Sequence, residues 1–302
     1  MTDYKTLYDA IVNLNIPIEK QGKFANDKDL WFEYAHFPYI GKGNQSDAAD
    51  LNIPLTFEAK VDNTKIYFVS NCMPYTCSID ISTDGGETWN EVTSTSWGEG
   101  EETPIITLNA GEKILVRGEN PNGLSSIESV GNTYVTTGIF WIRGEAYVYG
   151  NIMSLLSKDE YASLKSVPSY AFYNLFYGGN GYDGKPMNNL SLFSHPSKKL
   201  LLPATTLEQN CYYGMFYGCT SLTAAPDLPA TTLVNNCYGY MFYGCTSLDY
   251  IKALFTTTPG NSYTDSWVNG VSETGTFIKN SAASWNVTGD NGVPSGWTVE
   301  TA

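Results

Sequence analysis

The chain has 302 residues, 42% of them apolar, and its 31 Asp and Glu residues against 17 Lys and Arg give a formal net charge of −14. This balance disfavours a nucleic-acid partner, because neutralising phosphates requires clustered basic side chains, and it disfavours an anionic membrane surface for the same reason. No apolar run approaches the roughly 18 residues of a membrane helix, so we expect no membrane partner.

Charged residues make up only 16% of the chain, while 22 tyrosines and 28 glycines are present. Because about 25% charged residues is usual, this composition is typical of β-structure, repeats and extracellular or virion proteins rather than cytosolic enzymes. The length predicts two domains and a smaller segment. The first residues lack a basic stretch followed by an apolar core, so we expect no secretory signal here; removal of such a signal remains the alternative.

Residues 1–51 are predicted to form an anchoring or oligomerisation segment. Leu7, Ile11 and Leu14 share one face of a short helix. Trp31 and Phe32 belong to an aromatic stretch that so small a segment cannot bury alone. These rings must pack on the next domain or on another chain, and both alternatives stay open.

Residues 52–147 are predicted to form an immunoglobulin-like β-sandwich. Short alternating segments recur between turn signals such as Asp84-Gly85-Gly86, which is typical of that architecture. The predicted strands are Leu55–Ala59, Lys65–Val69, Ser78–Ile81, Ile105–Leu108, Lys113–Arg117 and Gly138–Ile142.

Residues 148–302 contain repeats. The segments 202–227 and 228–253 are offset by 26 residues and share 17 identical positions, a period in the leucine-rich-repeat range. A diverged copy, Tyr173–Gly178, matches Tyr213–Gly218, with a Gly- and Asn-rich insertion between the two that we expect on the surface. One unit cannot bury its own apolar face, so stacked coils must share a core, with an aromatic-rich tail as the C-terminal cap.

Within each repeat, the spacing predicts a short helix followed by a short strand. Leu207, Cys211, Met215 and Cys219 step by four, which favours a buried helical stripe. A glycine in the left-handed conformation is expected to end each helix, at Gly218 and Gly244. The strand is predicted at 221–223, with its leucine inward.

The repeat units resemble the BspA-type leucine-rich repeats of surface proteins of gut Bacteroidales and of their phages, including crAss-like phages. The residues that carry this resemblance are Leu202–Leu207 and Met215–Leu222 with their copies at 228–233 and 241–248. The segments Pro54–Phe57 and Ser82–Trp89 also resemble regions that precede such repeats. The resemblance does not reach residues 1–50. It implies a mainly β fold with short helices and a role in binding or adhesion, without catalytic residues.

Residues Ser82–Trp89 fit the Asp-box pattern of sialidases, in which it is a structural hairpin. A sialidase needs three arginines to hold its substrate's carboxylate, and this chain has only Arg117 and Arg143. We therefore predict a hairpin turn in which Asp84 accepts hydrogen bonds from nearby backbone amides, with Trp89 packed in the sandwich.

No catalytic or metal-binding constellation is apparent. The two histidines are too few for a nucleophilic triad argument; we expect His36 to be packed among aromatic rings and His195 to be exposed. A carboxylate pair for glycoside hydrolysis remains an alternative that no spacing favours, and no loop consensus supports calcium. We expect no cofactor, no metal and no enzymatic activity.

The four repeat cysteines occupy equivalent positions in consecutive units, which predicts columns of small buried side chains. Their spacings are not those of a zinc site. Cys72 and Cys77 could close a small loop or remain reduced, and both alternatives stay open. The repeat cysteines are Cys211, Cys219, Cys237 and Cys245.

The candidate ligand-facing residues are tyrosines on or beside the repeat helices. Tyrosine rings at a surface can stack on sugars or anchor a protein partner. Because Met215 and Phe216 fill the buried face, we expect partial exposure. The four tyrosines are Tyr213, Tyr217, Tyr240 and Tyr243.

These observations predict a non-enzymatic phage virion protein, a head or tail fibre or appendage, made in the host cytoplasm and displayed on the virion surface. Residues 1–51 would attach it to capsid or tail proteins, and the repeats would bind a host-surface glycan or protein. Fibres are commonly trimeric, so we expect a homotrimer. The alternatives are a leucine-rich-repeat adhesin on a bacterial cell surface and an accessory protein of a glycan-processing enzyme.

Overall fold

A computed structural model describes residues 51–71, 74–96, 103–128, 133–179 and 192–302. These residues are mainly β, with eighteen strands and a single 3₁₀ helix, Ile152–Leu155, whose first turn is capped by the side chain of Asn151. The strands are β1 (Leu55–Ala59), β2 (Thr64–Ser70), β3 (Ser78–Ser82), β4 (Asn90–Thr93), β5 (Thr95–Ser96), β6 (Ile106–Leu108), β7 (Lys113–Arg117), β8 (Ser125–Glu128), β9 (Thr133–Thr136), β10 (Ile139–Arg143), β11 (Ala146–Asn151), β12 (Ser166–Val167), β13 (Leu192–Ser194), β14 (Leu200–Leu201), β15 (Thr206–Leu207), β16 (Tyr250–Ala253), β17 (Thr276–Lys279) and β18 (Thr298–Thr301).

Several predictions from the sequence lie outside the described residues. They concern the N-terminal anchoring segment, the greater part of the Gly- and Asn-rich insertion, and one partner of the proposed small cysteine loop. The residues are Leu7, Ile11, Leu14, Trp31, Phe32, His36 and Cys72, with the insertion at 180–191.

Two sheets pack against each other through aromatic and aliphatic side chains. The larger follows the order β13-β11-β1-β7-β3-β4, with β14 also paired to β11, and the smaller follows β10-β2-β5, with β6 also paired to β2. The ring centroids of Phe57 on β1 and Phe140 on β10 are 5.0 Å apart, and Phe68 on β2 lies 4.9 Å from Phe140. All three rings are fully buried.

All six predicted strands are confirmed to within one residue at each end. Alternation identified them because one side of each strand faces the shared core. Strand β11 was missed, and it crosses the predicted domain boundary between residues 147 and 148. Its sequence, AYVYGN, does not alternate cleanly between apolar and polar residues.

Strand β11 joins the antiparallel part of the fold to the repeats. On one edge it pairs antiparallel with β1. On the other edge it pairs parallel with β13 and β14, which belong to the repeat region. Residues on both sides of this strand therefore contribute to one continuous buried core.

The repeat region consists of stacked coils. Each contains a series of tight turns, which we call a turn ribbon, at residues 170–178, 210–219, 236–245 and 262–270. Amides alternate in their hydrogen bonding along a ribbon. The amides of Tyr212, Phe216 and Gly218 donate to the next ribbon over 2.7–3.1 Å, whereas those of Met215 and Cys219 donate to the third residue before them over 3.0–3.2 Å.

The prediction of a helix in each repeat is wrong. Every fourth ribbon residue has a left-handed backbone: Asn210, Gly214 and Gly218 have φ of 54°, 59° and 72°. In an α-helix every interior amide donates to the fourth residue before it, which the ribbon amides do not do. A stripe of residues four apart would also rotate by about 40° per step around a helix. The stripe from Leu207 to Cys219 is buried as predicted, but successive turns produce it.

The predicted strand at 221–223 is also wrong. The amide of Leu222 donates to the Cys219 carbonyl over 3.1 Å, which closes a turn. Leu222 is buried, as expected. The parallel contact to the next coil is a bridge between Ala224 and Tyr250.

Stacked coils place equivalent side chains above one another inside the core. Tyr212 lies 5.7 Å from Phe172 and 5.9 Å from Tyr238, and the three rings are nearly parallel. The predicted columns of buried cysteines are confirmed: all four repeat thiols are free and fully buried. Burial raises the pKa of each thiol, that of Cys237 to about 12. These cysteines are therefore packing residues.

The fourth ribbon retains little of the repeat sequence beyond Gly270. Its carbonyls still accept hydrogen bonds from the third ribbon, including one at Trp267 over 2.9 Å. The Trp267 indole donates to the carbonyl of Gly292 over 2.9 Å, and the Val268 amide donates to that of Asp290. The aromatic-rich tail thus covers the last ribbon.

Coil packing predicts that two equivalent glycines, Gly218 and Gly244, differ in their tolerance of an alanine substitution. Gly218 and Gly244 both have φ of +72°, so a Gly244→Ala change should lower the free energy of unfolding by about 1–2 kcal/mol through backbone strain. A Cβ on Gly218 would also lie 3.0 Å from the Gly178 carbonyl carbon, whereas on Gly244 it meets nothing closer than 3.7 Å. Gly218→Ala should cost roughly 1 kcal/mol or more beyond Gly244→Ala. Urea unfolding of both variants tests this, and equal losses would contradict it.

Candidate binding surface

The predicted ligand-facing tyrosines lie on the outer side of the turn ribbons. Tyr213 and Tyr217 belong to the second ribbon, and Tyr240 and Tyr243 to the third; all four are half-buried. Two tyrosines of the first ribbon extend the set. We call these six residues the tyrosine patch: Tyr173, Tyr177, Tyr213, Tyr217, Tyr240 and Tyr243.

The patch is built as two stacks that run across the coils. In one, Tyr217 lies 4.9 Å from Tyr177 and 4.7 Å from Tyr243, with interplanar angles of 26° and 7°. In the other, Tyr213 lies 4.8 Å from Tyr173 at 2° and 5.4 Å from Tyr240 at 45°. Three of these four spacings match the 4.7–4.9 Å separation of hydrogen-bonded strands, because the backbone ladder between coils sets them; the tilted pair Tyr213–Tyr240 is wider.

Tyr173 and Tyr177 were not among the predicted site residues. The signal for them was present, since Tyr173–Gly178 aligns with Tyr213–Gly218. Only the stacked arrangement shows that the diverged first repeat continues both columns of rings.

The order of one tyrosine and one glycine is reversed between the second and third ribbons, and this reversal shapes the second stack. The second ribbon has Tyr213-Gly214 where the third has Gly239-Tyr240. A Cβ on Gly239 would lie 2.9 Å from the ring of Tyr213, so Gly239 leaves the space that this ring occupies. A Cβ on Gly214 would collide with the amide oxygen of Asn174. Because both positions are glycine, the ring of Tyr213 and the side chain of Asn174 fit against the neighbouring coils.

Tyr240 has a left-handed backbone, with φ of 54°. Its equivalents are Asn174, Gly214 and Ser266, small residues for which this conformation costs less. Tyr240 contacts both stacks, since it lies 5.8 Å from Tyr243 as well as 5.4 Å from Tyr213. A bulky residue in a strained conformation favours a role beyond packing.

Burial and neighbouring phenols shift the pKa values of two tyrosines in the patch. Burial raises the pKa of Tyr217, and the neighbouring phenols of Tyr177, Tyr243 and Tyr240 add to this effect. Burial likewise raises the pKa of Tyr177. The phenols of Tyr217 and Tyr177 therefore stay protonated at neutral pH, and a phenol hydroxyl can both donate and accept hydrogen bonds.

The Asp-box segment forms the predicted hairpin turn. Asp84 accepts hydrogen bonds from the hydroxyl and the amide of Thr88 and from the hydroxyl of Ser82. These bonds hold the pKa of its carboxyl well below the usual range. Trp89 is half-buried beneath the guanidinium of Arg117, 4.0 Å from its ring centroid. The prediction that it packs in the core between the sheets is wrong, because its indole donates to Gly86 within the turn.

His195 is half-buried, and the prediction that it is exposed is wrong. Its ring lies edge-on to Tyr147 and Tyr149, with centroids 4.9 and 5.1 Å away. Beside it, Lys198 donates to the carboxylate of Glu58 over 2.9 Å and to the Tyr149 hydroxyl over 3.0 Å. The Tyr149 hydroxyl also donates to Glu58 over 2.8 Å. These groups satisfy one another and hold the segment after β13 against the sheet.

Metal and cofactor sites were not expected from the sequence. Among the described residues, no group of three or more His, Cys, Asp or Glu side chains is placed to hold a metal ion. The Cys77 thiol is free and donates to the Thr137 carbonyl over 3.2 Å. No helix within the described ranges is long and apolar enough to cross a membrane.

Comparison with known proteins yields no relatives. No protein-family model, no curated protein and no solved structure matches this chain. The resemblance to BspA-type repeats therefore remains a prediction from the sequence.

His195 should make stability depend on pH. Its Nδ1 accepts from the amides of Ser197 and Lys198, both at 3.1 Å, which requires a neutral ring. Burial and then Lys198 lower the pKa of His195 below its ordinary value near 6.5, against an opposing effect of Glu58. The resulting stabilisation is complete above pH 6.5 and is lost as the pH falls through the lower pKa of the folded state.

A His195→Asn variant supplies the control, because an Asn side chain can accept the same amides without titrating in this range. Between pH 6.5 and 5, the free energy of unfolding of the parent chain should fall more steeply with decreasing pH than that of the variant. The difference in slope should not exceed the value for the uptake of one proton on unfolding. Above pH 7 the slopes should agree. Parallel curves over the whole range would contradict the assignment.

Proposed function

We propose that this chain is a non-enzymatic structural protein of a phage virion, a head or tail fibre or appendage, that presents the tyrosine patch to the host surface. In this proposal the paired sheets are an immunoglobulin-like spacer and the coils are BspA-like leucine-rich repeats. Residues 1–51 attach the protein to other virion proteins. The patch contacts a host-surface glycan or protein.

The observation that supports a binding role is the array of half-buried tyrosines on three stacked coils, formed by Tyr177, Tyr213, Tyr217, Tyr240 and Tyr243. Stacked repeats extend a surface in one direction, which suits contact with extended partners. Aromatic side chains that combine an apolar body with a polar end are enriched at recognition surfaces. The virion assignment rests on the resemblance of the repeats and on the composition.

Immunogold electron microscopy tests the assignment. An antibody to the repeats should label purified phage particles from an infected culture, and the position of the gold should identify head or tail attachment. Antibody adsorbed with the purified chain is the control. Label on uninfected bacteria would overturn the virion assignment in favour of an adhesin. Release of sugars from host polysaccharides by the purified chain would favour a role with glycan-processing enzymes.

A trimeric fibre also predicts the mass in solution. Light scattering after gel filtration should give three times the chain mass of 33.2 kDa. A chain truncated before residue 52 should give a smaller assembly if the N-terminal segment drives association. A full-length mass near one chain would exclude the trimer, without bearing on where the protein is displayed.

A further inference from the structure

The stacking decides which part of each ring a ligand can reach. Tyr217 lies between Tyr177 and Tyr243 at 4.9 and 4.7 Å, so aromatic rings cover both of its faces. It is nonetheless only half-buried. The accessible part of this side chain is therefore its edge, which carries the hydroxyl.

The hydroxyls of Tyr217, Tyr240 and Tyr243 are available for hydrogen bonding. None of the hydrogen bonds among the described residues involves the hydroxyl of Tyr217, Tyr240 or Tyr243. A phenol hydroxyl donates one hydrogen bond and can accept others. Since the rings repeat every 4.7–4.9 Å within one stack, the hydroxyls recur along the coil axis with a similar period.

The charge around the patch excludes one class of ligand. The sequence has no Lys or Arg between Lys199 and Lys252, the stretch that holds the second and third ribbons. The fourth ribbon adds the acidic side chain of Asp265. A second carboxylate, that of Asp290, accepts a hydrogen bond from the side-chain amide of Asn269 in this ribbon over 2.7 Å. On the second and third ribbons a carboxylate or sulfate group on a ligand would find no Lys or Arg, and it would meet the field of a chain with net charge −14.

We propose that the tyrosine patch binds a neutral, linear glycan, which lies along the coil axis and exchanges hydrogen bonds between its hydroxyls and those of Tyr217, Tyr240 and Tyr243. An extended chain of pyranose rings presents hydroxyls at a period close to the coil spacing. Protein partners are usually anchored by aromatic rings and arginines, whereas here both faces of the central Tyr217 are covered and arginine is lacking in the ribbons. This inference rests on the binding role proposed above and names its ligand class.

Titration calorimetry with the full chain tests the ligand class. The probes are cello-, manno- and xylo-oligosaccharides, compared with the oxidised form of the cello- and manno-oligosaccharides in which primary hydroxyls are carboxylates. At least one neutral series should bind, and its affinity should increase with chain length up to the span of the patch. The oxidised form of a bound series should bind at least tenfold more weakly. Equal or tighter binding of the oxidised form, or no binding of any neutral series, would overturn the inference.

Tyrosine-to-phenylalanine variants test the contact itself, because they keep the stacks and remove only the hydroxyls. Tyr217→Phe and Tyr243→Phe should each weaken binding about threefold to tenfold, the value of one neutral hydrogen bond. Tyr75→Phe, at an exposed tyrosine outside the patch, should not change the affinity. Unchanged affinity in both patch variants would overturn the proposal, because ring contacts would then carry the binding.

Adsorption to host cells separates this inference from the virion assignment. Binding of the purified chain should be lost after periodate treatment of the cells, which cleaves vicinal diols, and should survive protease treatment. The reverse pattern would overturn the glycan in favour of a protein receptor and leave gold labelling of particles unaffected. Absence of gold from particles would remove the virion assignment without changing the calorimetric result.

Discussion

Hydrogen bonding between coils is the constraint on which the repeat region depends. Alternate amides of each turn ribbon have no partner within their own coil and donate to the next one. A buried amide without a partner would cost free energy comparable to a lost hydrogen bond, so a single coil cannot be stable alone. The ladder sets the distance between coils, and that distance brings equivalent rings into contact, in the core at Phe216 and on the surface at Tyr217.

The same ladder attaches the coils to the paired sheets. The amide of Phe140 donates to the Leu175 carbonyl over 2.9 Å, and the amide of Leu124 donates to that of Ala171 over 2.9 Å. Phe176, the first ring of a core column, lies 6.1 Å from both Phe57 and Phe140. The first coil is thus covered by the sheets, and the last is covered by the tail around Gly292. Both ends of the stack need such covers, because each otherwise exposes apolar rings and unpaired backbone groups.

Basic side chains are distributed unevenly over the molecule. On the sheets they lie against aromatic rings: Lys60 is 3.1 Å from the Phe193 ring centroid, and Arg143 is 4.8 Å from that of Trp141. Such cation–π contacts hold surface segments in place. The second and third ribbons have no basic residue. The sheets therefore use charge for their own packing, whereas the tyrosine patch offers uncharged hydrogen-bonding groups, which explains why we propose a neutral ligand for it.

The sequence by itself determined the mainly β composition of the described residues, six of the ten strands between 55 and 143, the buried stripe from Leu207 to Cys219 and the columns of reduced cysteines. These follow from alternation, repeat identity and apolar content, which depend only on nearby residues. Tertiary structure decided what the sequence could not. A spacing of four residues is approximately that of a helix, so the sequence predicted one. The left-handed residues at 210, 214 and 218, and the amides that donate to the next coil, show that the segment is a ribbon of turns instead. Repeat identity places the tyrosines at equivalent positions, but the spacing between coils decides that neighbouring rings cover both faces of Tyr217, because that spacing exists only once the coils have stacked.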